Sequence, residues 1–369
     1  SFFFVLMQAL LSRRKPTSIH GFRQIFLFKA SRKYQNKSLS KQKDDLQQWN
    51  PREERETDFD FQLIKSKGQH LLTNARILDK IVNVSDLRPD DSVLEIGPGT
   101  GNLTLKLLEA ADKVIAVEID RRMVEVLEKR VTARGFQDKL RVIYGDALKS
   151  KFPPFDIVVA NIPYGISSPL IIKLVHGLNP FRSATLLLQK EFARRLLACP
   201  GDPEFNRLAV NIKLVANVEH VLDVSKRDFL PPPKIDSSVV IIRPKSEVPN
   251  VNLVEWRAFT RVLFSNKNKT LGASFKQKRR VQQLLNISKG MDSGNQSNAD
   301  FDFDERDEGE EADSCTSSSC SELEINLFKE MIAQTLREHK FECKRPSKMC
   351  IQEMITLLFV FNQRGICFS

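Results

Sequence analysis

The sequence has few of the residues that could hold a metal ion or a disulfide framework. Its six cysteines form no Cys-x-x-Cys pair, and its five histidines are scattered along the chain. Zinc sites and disulfide-rich domains both need closely spaced ligands or paired cysteines. No apolar run reaches the roughly 20 residues that a membrane-spanning helix requires. We therefore predict reduced thiols, no metal centre and no membrane segment.

Acidic residues are missing from positions 1–43, which carry ten lysines and arginines. A basic, serine-containing N-terminus without acids is typical of an organellar transit peptide. We expect residues 1–60 to comprise a transit peptide and a polar linker that direct the chain to the mitochondrion, with the plastid as second choice. The alternative is a basic arm that binds nucleic acid, which would fit a nucleolar or cytoplasmic protein whose leader is not cleaved.

The acids are concentrated in one stretch near the C-terminus. Residues 292–324 contain twelve aspartates and glutamates and a single arginine. Such a segment cannot bury enough apolar surface to fold, so we predict a disordered insertion at about 289–323. Without this stretch and the leader, the chain has 46 basic and 34 acidic residues. A body of this charge favours a polyanionic partner.

The middle of the chain alternates between predicted strands and helices. Over residues 61–247 this order predicts an α/β fold with a doubly wound, Rossmann-like parallel sheet. After Pro244 the pattern becomes helical. Residues 248–369 are therefore predicted to form a small second domain of helices, interrupted by the acidic insertion.

Three local predictions concern the second half of the sheet. Apolar runs at 208–215 and 238–242 are predicted to be strands, and the last two strands are expected to form an antiparallel edge. A helix is predicted at 169–178, with Ser168 as its N-cap and a proline in its first turn.

A glycine-rich loop follows the first predicted strand of the sheet. Gly97, Gly99 and Gly101 recur at every second position. Glycine lets the backbone turn tightly and lets a ligand approach main-chain N–H groups. The dinucleotide fingerprint would need a glycine at the position of Asn102. The spacing is instead that of donor sites for S-adenosyl-L-methionine.

Carboxylates end the next two predicted strands. Glu118 lies at the end of the second strand, where it can accept hydrogen bonds from both ribose hydroxyls. Asp146 ends the third strand, where it can accept a hydrogen bond from the adenine amine of the cofactor. The segment Gln69–Asn74 precedes the sheet and is predicted to fold over the cofactor.

Asn161-Ile162-Pro163-Tyr164 follows the fourth predicted strand and suits the grip of a flat, amine-bearing base. The amide oxygen of Asn161 and the main-chain oxygen of Ile162 could each accept one amine N–H. Pro163 fixes the chain reversal, and Tyr164 offers a face on which an unstacked base can lie. Holding the amine lone pair towards a methyl donor accounts for much of the rate, so no strong general base is required.

Two further features could contact the nucleic acid. Phe229, in a proline-rich loop, could close the second side of the base, and ordinary core packing is the alternative. Basic residues flank the helices after residue 264 and could contact phosphates; the alternative is a merely solvated helix face. These residues are Lys267, Lys269, Lys276, Lys278, Arg279 and Arg280.

With these motifs in this order, the chain resembles the ribosomal RNA adenine N6-dimethyltransferases, in their eukaryotic branch. The similarity covers roughly 61–290 and 324–369. It rests on the segment at Gln69, the glycine loop, the loop at Asn161 and the loop at Phe229. By this resemblance, donor contacts fall on His70, Leu72, Gly97, Glu118, Asp146 and Asn161. The leader and the acidic insertion depart from the family pattern, and the leader points to an organellar, mitochondrial member.

The resemblance implies an enzyme that dimethylates two adjacent adenosines near the 3′ end of small-subunit ribosomal RNA. The cofactor would be S-adenosyl-L-methionine, and the partner would be the RNA in a pre-ribosomal particle, bound by a monomer. One alternative is an organellar transcription or ribosome-assembly factor of the same fold that binds nucleic acid without methylating it. A second alternative is methylation of protein amides or DNA adenine.

Overall fold

The computed structural model describes residues 69–290 and 321–369. They belong to one compact unit that spans Phe61–Ser369. The predicted transit peptide and linker lie outside the described residues, and so does most of the predicted acidic insertion. Among the helices that the structure describes, none is long and apolar enough to cross a membrane.

The strands form one large and one small sheet. Seven strands make the large sheet in the order β4-β3-β2-β5-β6-β9-β7, and β1 pairs with β8 in the small one. Their bounds are β1 Leu71–Leu72, β2 Ser92–Ile96, β3 Lys113–Glu118, β4 Leu140–Tyr144, β5 Ile157–Asn161, β6 Ser183–Gln189, β7 Ala216–Val224, β8 Phe229–Leu230 and β9 Ser237–Pro244.

Helices connect the strands and follow the last of them. Six belong to the sheet region: α1 Ala75–Val84, α2 Asn102–Ala110, α3 Arg121–Ala133, α4 Ser167–Val175, α5 Lys190–Leu197 and α6 Arg207–Val215. The later described helices are α7 Leu253–Phe264, α8 Leu271–Ser274, α9 Lys278–Ser288, α10 Glu322–Glu338 and α11 Ile351–Gln363. Short 3-10 turns occupy Gln137–Lys139, Tyr164–Ile166, Lys226–Asp228 and Pro346–Lys348.

The strand order reverses between β2 and β5, the first and fourth strands of the large sheet along the chain. All pairs from β4 across to β6 are parallel, so their carboxyl ends meet at one edge. Strands β9 and β7 continue the sheet with antiparallel pairing. This confirms the predicted Rossmann-like sheet. An antiparallel edge is present, but β7 at Ala216–Val224 forms it with β9, in place of the predicted strand at 208–215. In such sheets the ligand crevice lies outside the carboxyl ends at the point of reversal.

The prediction of a strand at 208–215 is wrong, because these residues form α6. Asn206 caps the helix, since its side chain accepts a hydrogen bond from the N–H of Ala209. The helix is apolar on nearly all sides because it contacts both the core under the sheet and the core of the later helices. A short run buried all round shows no helical period, so length and composition alone could not separate it from a strand.

Ser168 is likewise not an N-cap. Helix α4 begins at Ser167, directly after the 3-10 turn Tyr164–Ile166, so Ser168 lies inside the helix and is buried. The helix thus starts as a continuation of the loop that follows β5. This places α4 immediately behind the predicted acceptor residues.

Alternate residues of the strands enter two different cores. Val93, Val114 and Val159 pack with α1, α2 and α3 on one face of the sheet. Leu94, Ile115 and their neighbours in register pack with α4, α5 and α6 on the other. Successive strand residues thus point to opposite faces and both are apolar, as expected of a sheet that helices cover on both faces. Helices α7 to α11 share a third cluster, to which α6 contributes; the boundary at residue 247 stays a prediction.

Candidate active site

A cavity of about 860 Å³ lies at the carboxyl ends of the parallel strands, where the strand order reverses. Most of the site residues predicted from the sequence line it. They are His70, Leu72, Gly97, Gly99, Glu118, Asp146, Asn161, Ile162, Pro163 and Tyr164. Predicted donor and acceptor residues therefore share one space. Gly101 and Phe229 do not line it. Nowhere in the described ranges do three or more metal-binding side chains cluster.

The glycine turn is held in a conformation that side chains rarely adopt. Gly99 has a φ of +57°, and a Cβ atom there would lie 2.7 Å from Leu71 Cδ2. Gly97 has a φ of +67°, and its Cβ would lie 3.2 Å from Pro163 Cδ. These positions therefore favour glycine for their backbone conformation, and a side chain there would also displace Leu71 or Pro163. Gly101, with a φ of +89°, is the N-cap residue of α2.

Glu118 is buried at the end of β3 and holds the turn in place. Its Oε2 accepts the N–H of Gly99 at 3.1 Å, and its Oε1 accepts the N–H groups of Ile119 and Asp120, both at 2.9 Å. Burial raises the pKa of the Glu118 carboxyl, and these N–H groups oppose the rise. Each oxygen has two lone pairs and three of the four are used, so Oε2 retains capacity for one ligand hydroxyl.

Asp146 follows β4 and opens a tight turn. Its Oδ1 accepts the N–H of Leu148 at 2.8 Å, and its carbonyl oxygen accepts the N–H of Ser150 at 2.8 Å. The turn fixes the carboxylate at the cavity wall, next to Ala147 and Leu148. Asp146 and Glu118 lie at the ends of neighbouring parallel strands.

Glu95 is a cavity residue to which the sequence pattern assigned no role. It is only 1% exposed, and its Oε2 has no hydrogen-bond partner. Burial raises the pKa of the Glu95 carboxyl to about 8, and the negative charge of Glu118 adds to the rise. The hydroxyl of Thr104 acts in the opposite direction. A buried carboxyl that lines a cavity without a partner is suited to a cationic ligand group.

The segment that precedes α1 is tied to several walls of the cavity. The Gln69 amide donates to Asp120 at 2.8 Å, just beyond the end of β3. The Asn102 amide donates to the Leu72 carbonyl at 2.9 Å. On the acceptor side, the His70 ring bonds through Nδ1 to the carbonyl of Pro231 at 2.8 Å. Strand β1 also pairs with β8. The segment therefore lies along the cavity wall, and its closure over a cofactor stays a prediction.

Asn161 ends β5, and its amide has a defined orientation. The Asn161 Nδ2 donates to the His70 carbonyl oxygen at 3.1 Å. Because a carbonyl can only accept, this bond directs the NH2 group to His70 and leaves Oδ1 as the acceptor of the amide. Ile162 is buried and its N–H donates to Leu187 at 3.3 Å, which anchors the loop to β6.

Tyr164 provides a fixed aromatic surface beside Asn161. Its hydroxyl is 2.8 Å from the hydroxyl of Ser237, and its ring stacks on the His70 ring at a centroid distance of 6.0 Å. Burial raises the pKa of the Tyr164 phenol. The phenol is therefore neutral near pH 7 and does not act as a general base there. The ring therefore presents a flat surface of fixed position at the cavity wall.

A protein-family model described as ribosomal RNA adenine dimethylase matches residues 61–301. The chain belongs to this family. It is 59% identical over 311 residues to "Ribosomal RNA small subunit methyltransferase, mitochondrial" of Arabidopsis thaliana, covering 83% of this chain and 80% of the relative. It is 44% identical over 310 residues to "Probable dimethyladenosine transferase" of Dictyostelium discoideum, covering 84% and 92%.

A solved structure supports the same assignment. The crystal structure of a dimethyladenosine transferase from Plasmodium falciparum superposes with a TM-score of 0.68 at 39% identity, covering 81% of this chain and all of that chain. The resemblance found in the sequence is thereby confirmed, and the chain is a methyltransferase. Its fold is the Rossmann-like methyltransferase fold followed by helices.

In this family member Phe229 packs in the core. Its side chain is 3% exposed and lies in the cluster beneath β2, β3 and β5. The same loop reaches the cavity through Pro232, Pro233 and Lys234 instead. Of the two interpretations of Phe229 that the sequence allowed, the described position matches core packing. A stacking role for this ring stays a prediction.

The six residues that the sequence predicted to bind RNA lie between the end of α7 and the start of α9, and they differ in their surroundings. Lys267 Nζ donates to the carbonyls of Phe205 and Pro203 at 3.1 and 3.4 Å. Lys278 pairs with Glu322 at 2.7 Å, and Arg280 donates to the hydroxyl of Ser265. By contrast, three of the six are exposed without such a bond in the described contacts: Lys269, Lys276 and Arg279.

Proposed function

We propose that the chain transfers methyl groups from S-adenosyl-L-methionine to the N6 amine of adenosines in small-subunit ribosomal RNA, two methyl groups on each. The family and the names of the relatives support this reaction. The proposal extends to two adjacent adenosines near the RNA 3′ end, methylated by a monomer in a pre-ribosomal particle. The relative named mitochondrial and the basic leader support the mitochondrion as the location.

The cavity's polar groups fit the parts of the donor. Glu118 Oε2 offers its remaining lone pair to a ribose hydroxyl, and Asp146 offers an acceptor to the adenine amine. The partnerless oxygen of Glu95 suits a positive group. The glycine turn lets the ligand approach the backbone. When bound, S-adenosyl-L-methionine supplies a methyl group on a positively charged sulfur, and the side chains orient that group towards the acceptor.

One observation carries the proposal for the acceptor: the bond from Asn161 Nδ2 to the His70 carbonyl. With the NH2 group held there, Asn161 Oδ1 can accept an N–H of the target amine. The main-chain oxygen of Ile162 is the second proposed acceptor. Two acceptors draw both amine hydrogens to one side, so the nitrogen lone pair is directed at the methyl carbon.

Proton removal needs no strong base in this scheme. The amine becomes acidic once it carries the new methyl group, and its proton then passes to solvent. The neutral phenol of Tyr164 serves as the wall against which the flipped base lies. Stacking on a flat aromatic surface contributes about 1–3 kcal/mol per base in single-strand complexes. The exposed Lys269, Lys276 and Arg279 are proposed phosphate contacts.

The test is a methylation assay on the full chain. The protein is incubated with methyl-labelled donor and mitochondrial small ribosomal subunits. The RNA of these subunits must lack dimethyladenosine at the start. We expect two labelled dimethyladenosines per RNA after nuclease digestion, and less label with cytosolic subunits. Subunit binding without label in the RNA would favour the alternative of a non-methylating assembly factor and contradict the proposal.

A pH dependence of donor binding is expected from Glu95. Its carboxyl, with a pKa of about 8 in the free protein, holds a proton at neutral pH. A cationic ligand favours the ionised form, so binding releases this proton. Affinity for S-adenosylhomocysteine, which keeps the donor's ammonium, should rise up to about tenfold per pH unit below 8 and level off above it.

Calorimetry in buffers of different ionisation enthalpy measures the released proton directly. Glu95→Gln, which cannot ionise, should bind with the same affinity at pH 6.5 and pH 8.5. Without ligand, the raised pKa has a second consequence. The folded state binds a proton that the unfolded state lacks between pH 4.5 and 8, so stability from this group falls as pH rises through that window. A wild-type affinity that does not change with pH would contradict the assignment.

A further inference from the structure

Lys173, on α4, directs its ammonium group at backbone rather than at solvent or an acid. The Nζ atom donates to the carbonyl oxygens of Ala147, Leu148 and Ser150, at 2.7, 3.0 and 2.6 Å. It also lies 4.2 Å from the centroid of the Phe152 ring. An ammonium has three N–H donors, so the three carbonyls use its whole capacity.

The three carbonyls belong to the turn that Asp146 opens. Ala147 and Leu148 line the cavity with it. Three carbonyl dipoles that converge on one point repel each other unless a cation lies between them. Burial lowers the pKa of the Lys173 ammonium, while the charge of Asp146 opposes this shift. The turn therefore depends on a cation that comes from another element of the chain.

That element is the one that continues from the acceptor loop. Helix α4 follows Tyr164 through a single 3-10 turn, and Lys173 lies in its last turn. One side chain thus joins the helix behind Asn161 to the turn that carries Asp146. The strands β4-β3-β2-β5 and the apolar cluster that Ala147 shares with Leu170 and Leu174 also connect these parts, but Lys173 makes a polar bond directly to the turn.

We propose that Lys173 is a positioning residue that sets the Asp146 turn against the acceptor loop and thereby determines selectivity for the adenine ring of the donor. This inference rests on the proposed function, in which Asp146 accepts the adenine amine. Lys173 does not line the cavity and acts only through the turn.

The chain offers a matched control in Lys213. This half-buried lysine on α6 donates to the carbonyls of Leu197 and Ala198 at 2.7 and 2.8 Å. Neither carbonyl belongs to a residue that lines the cavity. Lys173→Met and Lys213→Met each remove an ammonium from a set of carbonyls and keep an unbranched side chain that is one atom shorter. Both are expected to lower the melting temperature.

The experiment measures how each full-length variant binds S-adenosylhomocysteine and S-inosylhomocysteine, in which an oxygen replaces the adenine amine. The wild type should prefer the adenine ligand at least about tenfold, because a charge-assisted hydrogen bond is lost in the other. In Lys173→Met this ratio should fall towards one, with adenine-ligand affinity about tenfold weaker. Lys213→Met should keep both affinities and the ratio.

The other outcomes separate the inference from the proposed function. If Lys173→Met weakens both ligands equally and keeps the ratio, the lysine only stabilises the fold and the inference is overturned. A wild type that binds neither ligand, or binds both equally, overturns the role of Asp146 and the inference with it. Should Lys173→Met not fold, Lys173→Arg replaces it. A planar guanidinium cannot converge on all three carbonyls, so an intermediate ratio is expected.

Discussion

Replacing Asn161 by alanine is expected to lower the methylation rate at saturating substrates by about 100- to 1,000-fold, the range seen when one preorganised hydrogen-bonding group is removed from an active site. The methyl side chain cannot accept an amine N–H, so the lone pair of the target nitrogen is no longer directed. The affinity for S-adenosylhomocysteine should change by less than about fivefold, because Glu118 and Asp146 remain. Single-turnover kinetics and calorimetry measure the two effects separately.

Asn179→Ala is the matched control for this loss. Asn179 lies in the loop between α4 and β6, and its Nδ2 donates to the Phe152 carbonyl at 3.1 Å, the same distance as in the bond from Asn161 to His70. The control therefore loses a comparable amide-to-carbonyl bond away from the cavity wall. It should keep most of the wild-type rate. Wild-type turnover by Asn161→Ala would contradict the assignment of Asn161 to the acceptor site.

Replacing Glu118 by glutamine is expected to act on the donor instead. The glutamine amide has one oxygen, whereas the carboxylate accepts three backbone N–H groups with two oxygens. Its NH2 group must face an N–H donor, and the charge available to the ribose hydroxyls is lost. The dissociation constant of S-adenosylhomocysteine should rise about 100-fold, which corresponds to about 2.7 kcal/mol. The rate at saturating donor should fall by less than about tenfold.

Asp91→Asn is the control for Glu118→Gln, because it also replaces a buried carboxylate by an amide. Asp91 lies just before β2, at the opposite end of the strand from the cavity, and accepts two N–H groups of Arg182 at 3.0 and 2.6 Å. This variant should lower the melting temperature and leave ligand affinity unchanged. If both variants weaken binding equally, then the effect of Glu118→Gln is general destabilisation and the ribose assignment fails.

The residues that the sequence located best are those fixed by local patterns. The glycine turn, Glu118, Asp146 and Asn161 each follow a predicted buried strand, and parallel strands bring their carboxyl ends to one edge. The order of strands and helices therefore sufficed to place them around one space.

Features that depend on contacts between distant segments were not predictable. The bond that orients Asn161 comes from a residue 91 positions away, and Lys173 meets its carbonyls across 23 to 26 positions. Glu95 gave no signal because its environment, rather than its type, raises its pKa. Helix α6 was misassigned because burial on all sides removes the periodicity by which helices are recognised.

The contact between Gly97 and Pro163 limits how this enzyme can change. A Cβ atom on Gly97 would lie 3.2 Å from the proline ring and 3.7 Å from the Asn161 carbonyl oxygen. The glycine loop and the loop at Asn161 thus meet at one point, where an added side chain must displace its neighbour. Directed evolution towards other nucleobases should accordingly yield paired substitutions on both loops, since a bulkier replacement on either one displaces the other.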